Sequence, residues 1–236
     1  ESVEGSERWA RYTSMGTEPR AIYRATGRTL TIDRPGVERE ILELEDPLRF
    51  LAERQAAKRL APIDGLPRLF GGLVGSIAYD AVRGMETLPV ECAPLPDVPD
   101  YCFLEVDLVL VWDSLQHRAV LVYLADLDRH SDSDAAWREA QAALDRATER
   151  LIGPMPALPI APEAPPSDPI PSCTDEAFAA QVDHARTFIQ AGDVIQVVLS
   201  RQFSVDAEGL HPFLAYRALR QLNPSPYMFY VEMGDT

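Results

Sequence analysis

Several short stretches carry side chains able to do chemistry, and their spacing decides what each can do. His130-Ser131-Asp132-Ser133-Asp134 gathers ligand-type groups as a metal site would. The same residues stand directly before an amphipathic stretch, where Ser and Asp satisfy the unpaired amides of a helix start, so capping is expected. Gly71-Gly72-Leu73-Val74-Gly75 has the glycine density of a phosphate loop. It lacks the Lys-Ser/Thr pair that opens the following helix and the glycine spacing of a dinucleotide turn. Close backbone approach in a packed strand is expected there instead. His117, His184 and His211 are isolated, and no Ser–His–Asp or Cys–His set can be assembled. Asn223-Pro224-Ser225-Pro226-Tyr227-Met228-Phe229-Tyr230 fixes φ at two prolines and removes two amide donors. Rigid backbone with free carbonyls beside Tyr and Met suits a small aromatic ligand carrying an ammonium group. A turn leading into a core strand is the competing reading.

These residues must be positioned by regular elements. Residues 20–34 alternate around Thr26-Gly27 as a hairpin does. Residues 46–60 read as a helix capped by Asp46, with Pro47 first and Leu48, Leu51 and Leu60 on one side. Two β runs follow, Tyr101–Trp112 and Arg118–Leu124, then an amphipathic helix over 134–151 with Trp137, Ala140, Leu144 and Leu151 inward. Residues 153–172 hold eight prolines and read as an extended linker. Beyond it, Thr174 caps a helix with Phe178, Val182, Ala185 and Ile189 on one face, ended by Gly192. A strand over Val194–Phe203, a helix over about 212–222 and a strand over Tyr227–Glu232 complete the pattern. The expected fold class is α+β: mixed, largely antiparallel sheets covered by helices, with a first domain over 1–152, a linker over 153–173 and an incomplete second domain over 174–236.

The 236 residues suffice for one large domain or two smaller ones. A hydrophobic content of 46% and a charged content of 25% are those of an ordinary globular protein. The net charge of −15, with no Lys/Arg cluster to override it, argues against nucleic acid and anionic membrane as partners. Cys92, Cys102 and Cys173 are too few and scattered for a disulfide framework or a zinc site, and fit packing roles in a reducing compartment. With no membrane-length apolar run, a cytoplasmic protein is expected. The chain opens at Glu1 without an initiator Met, so it is read as a piece of a longer protein.

Four segments together carry a family resemblance. Residues 1–16 (ESVEGSERWARYTSMG), 71–89 (GGLVGSIAYDAVRGMETLP), 192–203 (GDVIQVVLSRQF) and 223–230 (NPSPYMFY) resemble, in order and on both sides of the linker, the component I family of anthranilate synthases. The resemblance implies a lyase of tryptophan biosynthesis that converts chorismate and ammonia to anthranilate and pyruvate. It also implies Mg²⁺ on the substrate carboxylate and a glutamine amidotransferase partner that supplies the ammonia. The metal ligands and main catalytic groups would lie beyond Thr236, so no metal ligand is named and the segment alone is expected to be inactive.

By motif, feedback inhibition by L-tryptophan would use Ser2, Pro226, Tyr227 and Met228, with Glu1, Arg11 and Asn223 as weaker carry-overs. Related enzymes that add water carry Lys where Gln196 stands. A lysine with a depressed pKa can deprotonate water and a glutamine cannot, which places Gln196 on the amination side. Aminodeoxychorismate synthase component I and a non-catalytic tryptophan-binding module remain the alternatives.

Overall fold

The computed structural model describes residues 1, 11–61, 63–89, 98–155, 157, 168–207 and 209–234. It divides into two compact units, Glu1–Pro156 with Arg220–Thr236, and Ala157–Leu219.

The first unit holds two antiparallel sheets. The larger is built from β2 (Ala21–Thr26), β3 (Thr29–Arg34), β4 (Val37–Glu43), β5 (Gly72–Ile77) and β6 (Tyr101–Val106), in the order β4-β3-β2-β6-β5. The hairpin β2–β3 turns at Gly27, whose φ of 57° a side chain rarely tolerates. The smaller sheet joins β1 (Tyr12–Gly16), β7 (Leu108–Asp113) and β8 (Arg118–Tyr123) in the order β1-β7-β8.

The expected single strand over Tyr101–Trp112 is therefore two strands in two sheets. Asp107 is the break: its carbonyl accepts from the Leu124 amide at 2.9 Å, and its carboxylate pairs with Arg20. A uniformly apolar run shows no boundary, because the pivot is fixed by residues distant in sequence.

One face of the larger sheet carries Ala21, Tyr23, Ala25, Leu30, Ile32 and Tyr101, packed against Leu51 of α1 (Pro47–Ala56). Tyr23, Leu30, Ile32 and Leu51 are fully buried, each contributing about 1.5–3 kcal/mol of transfer free energy. The Asp46 side chain accepts from the Arg49 amide at 2.9 Å, the expected cap. The helix stops at Ala56, short of Leu60, and Lys58 just beyond it reaches the carboxylate of Glu105.

Gly75 faces Phe103 in the β5–β6 ladder, and a Cβ there would lie 1.9 Å from the Cys102 carbonyl. That is the close approach expected of the glycine run.

The smaller sheet is covered by α2 (Ser133–Ile152). Asp132 accepts from the Ala135 amide at 2.7 Å, so the His-Ser-Asp stretch is a helix cap, as expected. The buried stripe of α2 is Ala136, Ala140 and Ala143; Trp137 is 66% exposed and Leu151 also faces solvent. Small side chains at i, i+4 and i+7 let the helix lie close to β8, which a tryptophan on that line would prevent.

In the second unit, α3 (Asp175–Ala191) is capped by Thr174 and ended by Gly192 at φ 82°. Phe178, Val182 and Ala185 are its half-buried positions, while Ile189 stays exposed. The expected strand over Val194–Phe203 is not formed. Only β10 (Phe203–Ser204) pairs, with β9 (Ile170–Pro171), and Ile195 and Val198 are 98% and 82% exposed. A strand exists only where a neighbour completes its ladder, and among the described residues 194–201 join none. In the first unit, the expected strand over Tyr227–Glu232 joins no sheet among the described residues. The helix α4 (Pro212–Leu222) matches expectation; His211 stands before it and accepts from the Phe213 amide at 3.2 Å.

Candidate functional site

The Pro-rich turn begins where α4 ends. Asn223 and Ser225 each precede a proline and are thereby steered away from helical geometry. The Tyr227 amide donates to the Ser225 hydroxyl at 3.3 Å, which tightens the turn. Exposure then alternates along the chain: Tyr227 is 74% exposed, Met228 7% and Phe229 81%.

Met228 is buried and held by two main-chain bonds. Its carbonyl accepts from the Glu1 nitrogen at 2.7 Å, and its amide donates to the Glu1 carbonyl at 2.8 Å. The Glu1 carboxylate in turn accepts from Arg220 Nε at 2.8 Å. The amino-terminal residue is thus joined to both arms of the turn.

The segment after Met228 is also tied down. Arg24 of β2 donates to the Met233 carbonyl while its other nitrogen pairs with Asp33 at 2.7 Å, and the Ser76 hydroxyl reaches the Met233 sulfur at 3.8 Å. Arg24, Cys102 and Ser76 are register partners across β2, β6 and β5, so the segment meets one row of the larger sheet.

The remaining expected site residues fall as follows. Ser2 lies outside the described residues. Asn223 and Pro226 are exposed on the turn. Arg11 is held by Asp113, its Nε and Nη2 donating to the carboxylate at 3.1 and 2.8 Å. That fork holds Asp113 down to about pKa 2. Gln196 is exposed in the second unit.

Two surface concavities, one lined by Arg146, Glu149, Arg150, Gly153 and Pro154 and the other by Arg83–Leu88, each come from one contiguous stretch. Neither has the convergence of a binding site.

Sequence reasoning passed over Arg220, Arg24 and the buried cluster around Glu105. The first two are surface-type cations with no local signal. Glu105 had one: a carboxylate at an inward position of a Val/Leu-rich strand, 2% exposed. It accepts from Tyr23 at 2.5 Å and pairs with Lys58, with Arg20 3.6 Å away. Burial pushes its pKa up, but these donors and cations outweigh that and hold it below the ordinary range.

The comparisons with known proteins decide the family. The sequence profile of the chorismate binding enzyme matches residues 4–236. The chain belongs to the chorismate binding enzyme family. Anthranilate synthase component 1 of Pseudomonas putida is 37% identical over 242 residues, covering 100% of this chain and 48% of that protein. The Thermus thermophilus protein of the same name is 37% identical over 235 residues, covering 100% of this chain and 47% of that one. The crystal structure of anthranilate synthase component I from Streptococcus pneumoniae superimposes with a TM-score of 0.77 at 26% identity, covering 96% of this chain and 48% of that one. The chain therefore spans about half the length of these chorismate-family relatives, and its mixed antiparallel α+β architecture matches that part of the Streptococcus pneumoniae protein. Among the described residues no helix is long and apolar enough to cross a membrane.

Proposed function

We propose that this chain is the amino-terminal portion of an anthranilate synthase large subunit. In this reading the complete polypeptide converts chorismate and ammonia, drawn from glutamine by a partner amidotransferase, to anthranilate and pyruvate in the cytoplasm. Glu1, Ser2, Asn223, Pro226, Tyr227 and Met228 then belong to its feedback site for L-tryptophan. The observation that carries the feedback reading is the pair of main-chain bonds between Glu1 and Met228, which joins two family segments from opposite ends of the sequence. Ser2 follows Glu1 directly in the sequence and, by motif, supplies the hydroxyl of the site. Tyr227 and Met228 supply the polarizable wall an indole needs, and the proline-fixed backbone supplies carbonyls for its ammonium group. Arg11, a weaker member of the same motif set, is held by Asp113.

Among the described residues no three His, Cys, Asp or Glu side chains converge as a metal site. These residues do not fit the magnesium ion expected of the family. Gln196 is the one position here assigned to the chemistry: a neutral amide that cannot deprotonate water leaves ammonia as the nucleophile.

The test is tryptophan inhibition of the complete enzyme, comparing wild type with Ser2→Phe and Met228→Ala. Loss of one hydrogen bond in a closed pocket costs about 1–3 kcal/mol, so Ser2→Phe is expected to lose roughly tenfold to a hundredfold in sensitivity, and Met228→Ala, which removes the thioether from the pocket wall, is expected to lose sensitivity as well. Sensitivity equal to wild type in both variants refutes the site.

A further inference from the structure

We infer that Arg24 is a positioning residue for the proposed tryptophan site, fixing the far end of the segment whose near end is Met228. This role rests on the tryptophan-site reading above and deepens it, since Arg24 belongs to none of the motif segments.

The anchor is built across three strands. In the β3–β4 ladder Ile32 pairs with Glu40 but Arg34 with Val37, so β4 carries one extra residue opposite Asp33. Such a bulge re-aims the side chains beside it. The Asp33 carboxylate takes Arg39 Nε on one oxygen at 2.5 Å and Arg24 Nη1 on the other at 2.7 Å. With Nη1 held by Asp33, the planar guanidinium of Arg24 directs Nη2 at the Met233 carbonyl, which accepts from it. The Arg24 and Asp33 side chains are 19% and 26% exposed, so the pair sits mostly out of water, whereas Arg39 is 61% exposed. Gly234 permits the approach: its φ is 80°, and a Cβ there would lie 2.8 Å from Arg24 Nη2.

Met228 and Met233 are thus tied to different parts of the fold, the first to Glu1 and the second to the sheet row of Arg24 and Ser76. A pocket wall held at both ends needs less ordering when a ligand settles on it, and that difference is read as affinity. Arg24 shares the hold on Met233 with Ser76 and with a further contact, so its removal loosens the segment without releasing it.

The experiment measures tryptophan binding by calorimetry, tryptophan inhibition and chorismate kinetics of the complete enzyme. The variants are Arg24→Ala, Arg24→Lys, Asp33→Asn, the Arg24→Ala/Asp33→Asn pair and Arg39→Ala, with Met228→Ala alongside. Arg24→Ala is expected to weaken tryptophan binding and inhibition together by about two- to tenfold. Asp33→Asn follows in the same direction, and the double variant is no worse than Arg24→Ala, because Asp33 acts through Arg24. Arg24→Lys restores part of the sensitivity, and Arg39→Ala, which leaves the Arg24 contacts in place, keeps all of it. A fall in kcat as large as the fall in tryptophan affinity, in Arg24→Ala and Asp33→Asn alike, assigns the contact to general stability and overturns the positioning role. If Arg24→Ala keeps full sensitivity while Met228→Ala loses it, the positioning role is wrong and the site stands. If both keep full sensitivity, the site itself is wrong, and the positioning role falls with it.

Discussion

Tyr23 donates its phenolic proton to the carboxylate of Glu105 at 2.5 Å, on the face of the larger sheet that packs against α1. Burial first, and then this bond, pushes the tyrosine pKa up to about 12. A charge on this face is tolerated because Lys58 and Arg20 close the rest of its coordination. Removing the phenol leaves one buried carboxylate oxygen without its donor. Tyr23→Phe is therefore expected to cost about 1–3 kcal/mol of stability, read as a lower urea midpoint at unchanged slope. An unchanged midpoint would show that the oxygen finds another donor.

Acid should weaken the smaller sheet through Asp113. Its bond to Arg11, aided by the Leu115 and Gln116 amides, lowers its pKa to about 2 from an ordinary 3.8. A carboxylate depressed on folding contributes stability that is fully present above the unfolded value and lost as pH falls through the folded one. Glu105, also held low, adds to the same acid limb, whereas Asp107, raised by burial, opposes it. Asp113→Asn keeps the shape and removes the charge. The stability gap between wild type and this variant is expected to close between about pH 4 and pH 2. A gap constant across that range contradicts the assignment.

The glycine run supplies a packing test. A methyl group at Gly75 meets the Cys102 carbonyl at 1.9 Å and the Phe103 Cα at 2.7 Å, both backbone atoms that cannot swing aside. Gly75→Ala is expected to destabilise by about 3 kcal/mol, or to abolish folding. Thermal unfolding checks it, and a wild-type midpoint would mean that β5 and β6 are spaced more widely.

The exposed amide of Gln196 gives a chemical test in the complete enzyme. Gln196→Lys is expected to slow anthranilate formation, because a basic amine there favours water over ammonia as the nucleophile. Anthranilate fluorescence at the wild-type rate removes Gln196 from the chemistry.

What could be read from sequence was local. Asp46 with Pro47, Asp132 before α2, Thr174 with Gly192 and the turn at Gly27 each act within a few residues, so their patterns are complete in a short window. The division of 101–112 into two strands was hidden because Arg20 and Leu124, which fix Asp107, lie far along the chain. Trp137 was placed inward on hydrophobicity alone, whereas closeness to β8 selects alanine. Val194–Phe203 has the composition of a strand but pairs only at its Phe203 end, and composition cannot supply a partner for the rest. At the candidate site, the Met228 turn was legible from its prolines. Arg220 was not, since a long-range ion pair leaves no periodic trace.

The most direct measurement is the product formed by the complete polypeptide from chorismate, ammonia and magnesium ion, resolved by chromatography with fluorescence detection and repeated with tryptophan added. The account predicts anthranilate and pyruvate in equal amounts, with formation suppressed by tryptophan. Aminodeoxychorismate as the product, or no conversion of chorismate by a folded, complete protein, would contradict it.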